Sequence, residues 1–330
     1  MEVTFFHRKP IKGKHWSLEF IFNELRTNLK NEINPKIKIS RFTSQGIFKR
    51  LYNILEAPFY QSKINHITGD IHYVSYFLKK NKTILTILDC SFMNTNNSLK
   101  KNILKLFWLT LPEQKVKVIT TISEFTKTQI IDLIPKINPN KIFVIPVSVS
   151  NNFNYIPKKF NKLKPNVLHI GTAPNKNLLR LTDAIKNLTC ELVIVGELNS
   201  IQIKKLTENN INYRNYTNLN ENEIINLYNN CDIVSFVSTF EGFGMPIVEA
   251  NKVGRVVVSS NCASMPEVAN NAALLINPFD IESIRNGFER VINDDNFREL
   301  LIKNGLVNAS RFDSKLIADS YLNLYKGIIQ

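Results

Sequence analysis

One stretch of the chain, Ser238-Thr-Phe-Glu-Gly-Phe-Gly-Met-Pro-Ile-Val-Glu-Ala250, gathers residue types that could do chemistry together. It follows an apolar run, Asp232-Ile-Val-Ser-Phe-Val237, that reads as a buried strand. It then turns on Gly242 and Gly244 and reaches Pro246 where a helix would begin. Proline suits the first helical position because its missing N–H would be unsatisfied there anyway. Glycines let backbone N–H groups approach a ligand without Cβ interference. A helix N-terminus at the mouth of a strand is an anion site, suited to a phosphate or a diphosphate leaving group. Glu241 and Glu249 bracket the turn, with Glu249 expected in the first helical turn. Carboxylates are acceptors, so they suit sugar hydroxyls and repel a second anion. Taken singly, each has a simpler role: Glu249 complements the helix dipole and Glu241 is a solvated loop residue.

A second piece is Leu168-His-Ile-Gly-Thr-Ala-Pro-Asn-Lys-Asn177, a strand running into a tight turn that carries Lys176 just before a helix. A lysine there can offset negative charge developing on a phosphate as a sugar departs. Arg180, one turn further on, reads as a solvated helix residue. Two carboxylates about a glycosidic bond would also suit a hydrolase, but the glycine turn and Lys176 favour a phosphorylated leaving group. No Asp-x-Asp turn follows an apolar strand, and the four cysteines (Cys90, Cys190, Cys231, Cys262) form no C-x-x-C pair or zinc spacing. No metal, cofactor or disulfide framework is therefore expected.

The elements that must position these residues alternate. In the first half β-rich runs recur at Val3–Phe6, Lys36–Ser40, Ile64–Thr68, Thr83–Leu88, Val116–Thr121 and Lys141–Pro146, with helical stretches between. Tyr73–Leu78 and Glu124–Ile134 read as helices started by polar caps. A polar, proline-bounded stretch at 148–166 reads as a linker. Beyond it the runs Asn166–Ile170, Glu191–Val195, Ile211–Asn215, Asp232–Val237, Arg255–Ser259 and Ala272–Ile276 alternate with helices. This predicts an α/β protein of two doubly wound, Rossmann-like domains, 1–155 and 156–330, with room for the last helix to pack back on the first. The expected site is the cleft outside the strand ends of both.

The 330 residues are 44% apolar and 21% charged, which predicts folded domains rather than disorder. The N-terminal order of residues is the reverse of a secretory signal, and no apolar run reaches the roughly 18 residues of a membrane span. A cytoplasmic protein is expected. Net charge is +14, of which +13 lies in residues 1–150 (23 Lys/Arg against 10 Asp/Glu). Such a half could meet an anionic membrane surface or a polyphosphate, or simply scatter lysines over solvated faces. With no reader motif beside the charge, nucleic acid is not an expected partner.

The segment from Glu241 to Ala250 resembles the signature of the family 4, or group 1, retaining glycosyltransferases, with its E-x7-E pattern. Pro266-Glu267-Val268, Ala272–Asp280 and Phe312-Asp313…Tyr321-Leu-Asn-Leu-Tyr-Lys326 are similar to that family as well. The resemblance implies a GT-B fold, a nucleotide-sugar donor held mainly by the C-terminal domain, and an acceptor on the N-terminal one. It implies that Glu241 contacts the donor sugar, Glu249 the ribose, and the backbone of Gly242, Phe243, Gly244, Met245 and Pro246 the sugar and diphosphate. Gly171, Thr172 and Lys176 fall in the turn where family members commonly place an Arg and a Lys. Here Thr172 and Asn175 stand where the arginine is expected.

In the first half the resemblance is thinner. Many members end the second cleft strand in a Thr-x-His-Asp turn, whereas here Leu88 precedes Asp89. That leaves Asp89, with His66 or His72, as the polar set near the reacting carbon; His72 also suits a cap or packing role. Gly13 matches the family's first donor loop, and Lys12, Lys14, His15 and Trp16 could meet an acceptor. Base contacts are expected from backbone around Tyr216 to Leu219. The expected function is a retaining hexosyl transfer, catalysed through Glu241, Lys176 and Asp89, to a saccharide, lipid-linked saccharide or protein acceptor in surface glycan synthesis, with peripheral attachment at the inner face of the cytoplasmic membrane. A sugar-nucleotide epimerase of the same architecture and a non-catalytic binding partner are the alternatives.

Overall fold

A computed structural model describes residues 1–10, 17–95 and 97–329. These form two compact units, Met1–Ser148 with Ser314–Gln330, and Val149–Asp313. Each is a six-stranded, fully parallel sheet wrapped by helices.

In the first unit the strands are β1 (Glu2–His7), β2 (Asn34–Ile39), β3 (Ile64–Thr68), β4 (Thr83–Ile87), β5 (Val118–Thr121) and β6 (Ile142–Val144). They are linked through α1 (Ser17–Asn28), α2 (Ile47–Glu56), α3 (Ser98–Leu104), α4 (Leu111–Gln114) and α5 (Glu124–Leu133). The sheet order is β2-β1-β3-β4-β5-β6. Every residue of β3 and β4 is buried, as a strand covered on both faces requires. Phe6, Ile67 and Leu85 fill one face. Val3, Phe5, Ile64 and Ile84 fill the other, against Phe22 and Leu25 of α1. Ser123 caps α5 as expected, its Oγ accepting from the Thr126 N–H at 3.1 Å. The run at Tyr73–Leu78 instead forms a 3-10 turn, His72–Phe77, with no side-chain cap, because Ile71 occupies the cap position.

The second unit holds β7 (Asn166–Ile170), β8 (Glu191–Val195), β9 (Tyr213–Tyr216), β10 (Ile233–Phe236), β11 (Val256–Ser260) and β12 (Leu274–Ile276). Its helices are α6 (Leu178–Ala184), α7 (Ser200–Glu208), α8 (Glu221–Asn230), α9 (Met245–Val253), α10 (Met265–Ala269), α11 (Ile281–Asn293) and α12 (Asp295–Ala309). The order is β12-β11-β10-β7-β8-β9. The chain thus builds outward from β7 to β9, then returns to β7's other side with β10. The turns after β7 and β10 meet at this reversal of strand order, where open α/β sheets bind ligands.

The polar stretch read as a linker is bound into this unit. Phe153 is buried against the Tyr228 ring at 5.5 Å. The Asp232 carboxylate pairs with Lys158 and accepts the Asn161 and Asn166 N–H groups at 3.1 and 2.8 Å. A last helix, α13 (Ser314–Ile329), belongs to the first unit, where Ile317, Tyr321 and Tyr325 join the core of Val3, Phe5 and Ile64. Each aliphatic side chain so buried contributes about 1.5–3 kcal/mol relative to exposure.

Candidate active site

The turn after β10 is shaped by its sequence. Gly244 has φ +121°, and a Cβ there would lie 3.2 Å from both Phe236 and Ile247 side chains, so only glycine fits. Helix α9 starts at the next residue, with Pro246 in its first turn and the buried Ile247, Val248 and Ala250 pulling it onto the sheet. The amides at this end therefore open beside β10. Because the helix starts at Met245, Glu249 lies beyond the first turn, which holds no acid. It does not serve as a first-turn acid on the helix dipole.

The β7 turn folds against this one. The Thr239 N–H donates to the Asn175 carbonyl at 2.8 Å. Asn175 Nδ2 donates to the Phe240 carbonyl at 3.0 Å and to Glu241 Oε1 at 3.1 Å. Lys176 Nζ reaches the same Oε1 at 2.7 Å, with both side chains largely but not fully shielded from water. The lysine stem needs Gly171. At φ +98° this residue would, with a Cβ, lie 2.9 Å from Lys176 Cγ and Cε. Lys176 Nζ also stands 5.1 Å from the centre of the Phe236 ring. Ser264 fastens the far side of the loop, donating to the Glu241 and Phe243 carbonyls at 2.9 and 2.6 Å. Asn175 is the site residue that sequence reasoning missed. A lone amide in a turn carries no signal until the facing loop is known.

Glu249 sits deeper. Tyr228 of α8 donates its hydroxyl to Glu249 Oε2. Burial pushes the Glu249 carboxyl up to about 7, against the opposing pull of Tyr228 and of the Lys176 charge. Lys176 thus acts on both glutamates. Beneath it, His169 is buried and its imidazole falls to about 4, through burial and the same lysine charge. Thr172 stitches this turn to the next, its hydroxyl donating to the Glu197 carbonyl at 2.7 Å. Phe243 points inward, 5.4 Å from the Phe312 ring, leaving only its backbone for a ligand. Arg180 is exposed, bonded to Asn177 Oδ1 at 3.0 Å.

The first unit disposes of its candidates differently. His66 does not join a site. Buried inside the unit, it is bonded to the Tyr325 hydroxyl at 2.7 Å and to Thr86 Oγ1 at 2.7 Å. Burial lowers its imidazole to about 3, and that of His7 to about 3 as well. His72 is also buried, with Nδ1 2.6 Å from the Trp108 carbonyl, a packing role. Asp89, after β4, accepts the Ser91 N–H at 2.7 Å. Gly13, with Lys12, Lys14, His15 and Trp16, lies outside the described residues. Among those described, no group of three or more His, Cys, Asp or Glu is placed to hold a metal ion.

Comparison with known proteins bears on this geometry. Residues 153–307 match the model of the glycosyl transferases group 1. O-antigen chain mannosyltransferase B of Escherichia coli is 28% identical over 235 residues, 64% of this chain and 60% of that one. A serotype-specific mannosyltransferase, WbdA, of the same organism is 26% identical over 178 residues, 53% of this chain and 19% of its own. The chain thus spans less than two thirds of the length of these relatives. An N,N'-diacetylbacillosaminyl-diphospho-undecaprenol alpha-1,3-N-acetylgalactosaminyltransferase of Campylobacter jejuni is 31% identical over 110 residues, 33% of this chain and 29% of that one. Among solved structures, a glycosyltransferase from Rickettsia africae superposes with TM-score 0.77 at 18% identity, covering 100% of this chain and 98% of its own. Anabaena HepE, in complex with UDP and glucose, superposes with TM-score 0.80 at 15% identity, covering 99% of this chain and 100% of its own. The fold is that of the GT-B class, and residues 153–307, which match the model of the glycosyl transferases group 1, hold the paired turns of Lys176 and Glu241.

Proposed function

We propose that this chain is a retaining, nucleotide-sugar-dependent glycosyltransferase that adds a hexose to a growing surface polysaccharide. The observation that carries the reading is the Lys176–Glu241 pair, held by Asn175 at 3.1 Å and seated where the β7 and β10 turns meet beside the start of α9.

In this reading the diphosphate of the donor lies against the first amides of α9, from Gly244 onward, where the helix dipole favours an anion. Lys176 turns from Glu241 to the β-phosphate and offsets the charge that grows as the C1–O bond breaks. Glu241, released from the lysine, accepts from hydroxyls of the sugar and fixes its orientation. Glu249 accepts a hydrogen bond from a ribose hydroxyl. Gly171 and Thr172 set the turn that presents Lys176. The departing β-phosphate oxygen takes the proton of the acceptor hydroxyl as that oxygen bonds C1 on the face the phosphate leaves, so configuration is retained. The positive charge comes from protein groups, and no metal is part of the reading. The described cysteines, all free, suit a reducing compartment such as the cytoplasm.

Mannose is the first sugar to try, since O-antigen chain mannosyltransferase B is among the relatives. A thermal-shift screen of UDP, GDP and ADP, and of their mannose, glucose and N-acetylgalactosamine forms, tests the donor. At a hundredfold excess over Kd the right one stabilises by about 2.7 kcal/mol. Product analysis with a saccharide acceptor then tests transfer and its stereochemistry. If no nucleotide raises the melting temperature, or if only epimerised donor is released, the reading fails.

A further inference from the structure

Tyr228 is fully buried in the second unit, yet it carries a hydroxyl that needs a partner there. It finds one in Glu249, the phenol of α8 donating to Oε2 of a side chain on α9. The ring is held independently of that bond. Phe153, itself buried, packs edge-on against it, with ring centres 5.5 Å apart and planes at 77°. The helix that carries Tyr228 is fixed at its start, where Asn220 Oδ1 accepts the Glu223 N–H at 3.1 Å and Glu223 Oε2 accepts the Asn220 N–H at 2.7 Å. A tyrosine so held offers its hydroxyl in one place only.

The two oxygens of Glu249 are therefore unlike. Oε2 is taken by the buried phenol, whereas Oε1 accepts no hydrogen bond among the described residues, in a residue that keeps some access to water. Burial holds the carboxyl up at about 7, and the Tyr228 hydrogen bond pulls the other way. Two charges also act on it: Lys176 of the β7 turn favours the carboxylate, and Glu221, two turns before Tyr228 on the same side of α8, opposes it. A single open carboxylate oxygen is an acceptor with one vacancy for a donor. Ribose offers two such donors, its neighbouring 2′ and 3′ hydroxyls, and a deoxy sugar lacks one of them.

We propose that Tyr228 is a specificity-determining residue of the donor site: by occupying Oε2 it leaves Oε1 of Glu249 aimed at the ribose, so that the site selects a ribonucleotide over its deoxy form. This rests on the donor reading above, in which Glu249 meets the ribose. Tyr228 acts through Glu249 without touching the nucleotide, and is a positioning residue. A site built to bond a substrate hydroxyl rejects the analogue that lacks it, because its own shielded acceptor is then left unpaired. Without the phenol, the carboxylate loses the contact that fixes its rotamer and the donor that favours its charged form. A phenyl ring in its place keeps the packing against Phe153, so the change is confined to the hydroxyl.

Isothermal titration of the full chain with UDP, GDP and ADP, each beside its 2′-deoxy and 3′-deoxy forms, tests it. At pH 8 the nucleotide that binds should do so about 10- to 100-fold more tightly than one of its deoxy forms, the scale of one hydrogen bond to a charged group. Tyr228→Phe should still bind the nucleotide but cut that ratio to about threefold or less. In a Glu249→Ala background the same substitution should change the ratio by less than about twofold, because both residues act through one contact. The parent's ratio should grow as pH rises through about 7, and in Tyr228→Phe this rise should move to higher pH, a shift that a merely structural tyrosine would not produce. A parent chain that binds no nucleotide overturns the donor reading, and this inference with it. Nucleotide binding without a ribose preference, a Tyr228→Phe chain that keeps the parent's ratio, or effects that multiply in the double variant overturn this inference alone. Should Tyr228→Phe fail to fold, a Glu249→Ala chain that keeps the ribose preference overturns it as well.

Discussion

The two units share one architecture and treat the polar residues of their sheets in opposite ways. In the second, the turns after β7 and β10 hold Lys176, Glu241 and Asn175 in a small cluster whose ion pair keeps some access to water. In the first, His66, Tyr325, Thr86 and Thr120 are joined by contacts of 2.7 Å in a chain sealed inside the unit, and Arg26, His7 and Thr68 form a second one at 2.7 and 2.8 Å. A satisfied, closed network rigidifies a core. A charge pair left partly open can exchange one partner for a ligand. Doubly wound topology alone therefore does not say where chemistry happens; what matters is whether polar groups at the sheet have already used up their bonds.

The sharpest way to break this contrast is to exchange removals. Lys176→Ala should lower the transfer rate about 10²–10³-fold, the scale of losing one group that stabilises developing charge, while the chain stays folded. A loss confined to stability would put Lys176 in the same class as His66. In contrast, His66→Ala should destabilise the first unit by about 3 kcal/mol, through a cavity and two abandoned hydroxyls, and leave the turnover of folded protein unchanged. Tryptophan fluorescence during urea unfolding reads this effect, since Trp108 belongs to the first unit.

Acidity sharpens the contrast further. His7 and His66 titrate near 3 when folded and near 6.5 when unfolded. Below pH 6.5 the unfolded chain binds the extra protons, so the first unit loses stability as pH falls, by on the order of 3 kcal/mol between pH 7 and 5. The second unit carries two opposed groups. His169, near 4, acts like the other histidines, whereas Glu249, near 7, holds its proton in the folded state over the window where the unfolded chain has released it. Its contribution falls as pH rises from 4.5 to 7, and the two slopes nearly cancel. Glu249→Gln should remove one of them and make the second unit acid-sensitive too, by on the order of 2 kcal/mol. Far-UV circular dichroism against the tryptophan signal, across pH 5 to 7, checks it.

The second unit was the more legible in sequence because its signals are local. The strand Asp232–Val237, the two glycines and the proline specify a turn and a helix start within a few residues. Glu249 lies past the first turn because Pro246 occupies the second helical position rather than the first, which carries the glutamate one residue further along α9. His66 and His72 are polar residues near strand ends, and nothing in the neighbouring sequence says that either histidine is already bonded. The partners of His66 are Tyr325, 259 positions away, and Thr86, 20 away on the neighbouring strand. Asn175 escaped for the same reason, since Phe240 and Glu241 that it holds are 65 and 66 positions on. Long-range polar partners leave no periodicity to read.

The return of α13 to the first unit also sets an order of events during synthesis. Residues 1–148 leave the ribosome with the sheet complete but with His66 still lacking the hydroxyl that closes its bonds, and with Val3, Phe5 and Ile64 lacking the cover of Tyr321 and Tyr325. The second unit, whose segments are contiguous, can finish while the first still waits. The part made earliest is thus the last to be sealed, and a cut after Ser148 parts the first sheet from the helix that covers it.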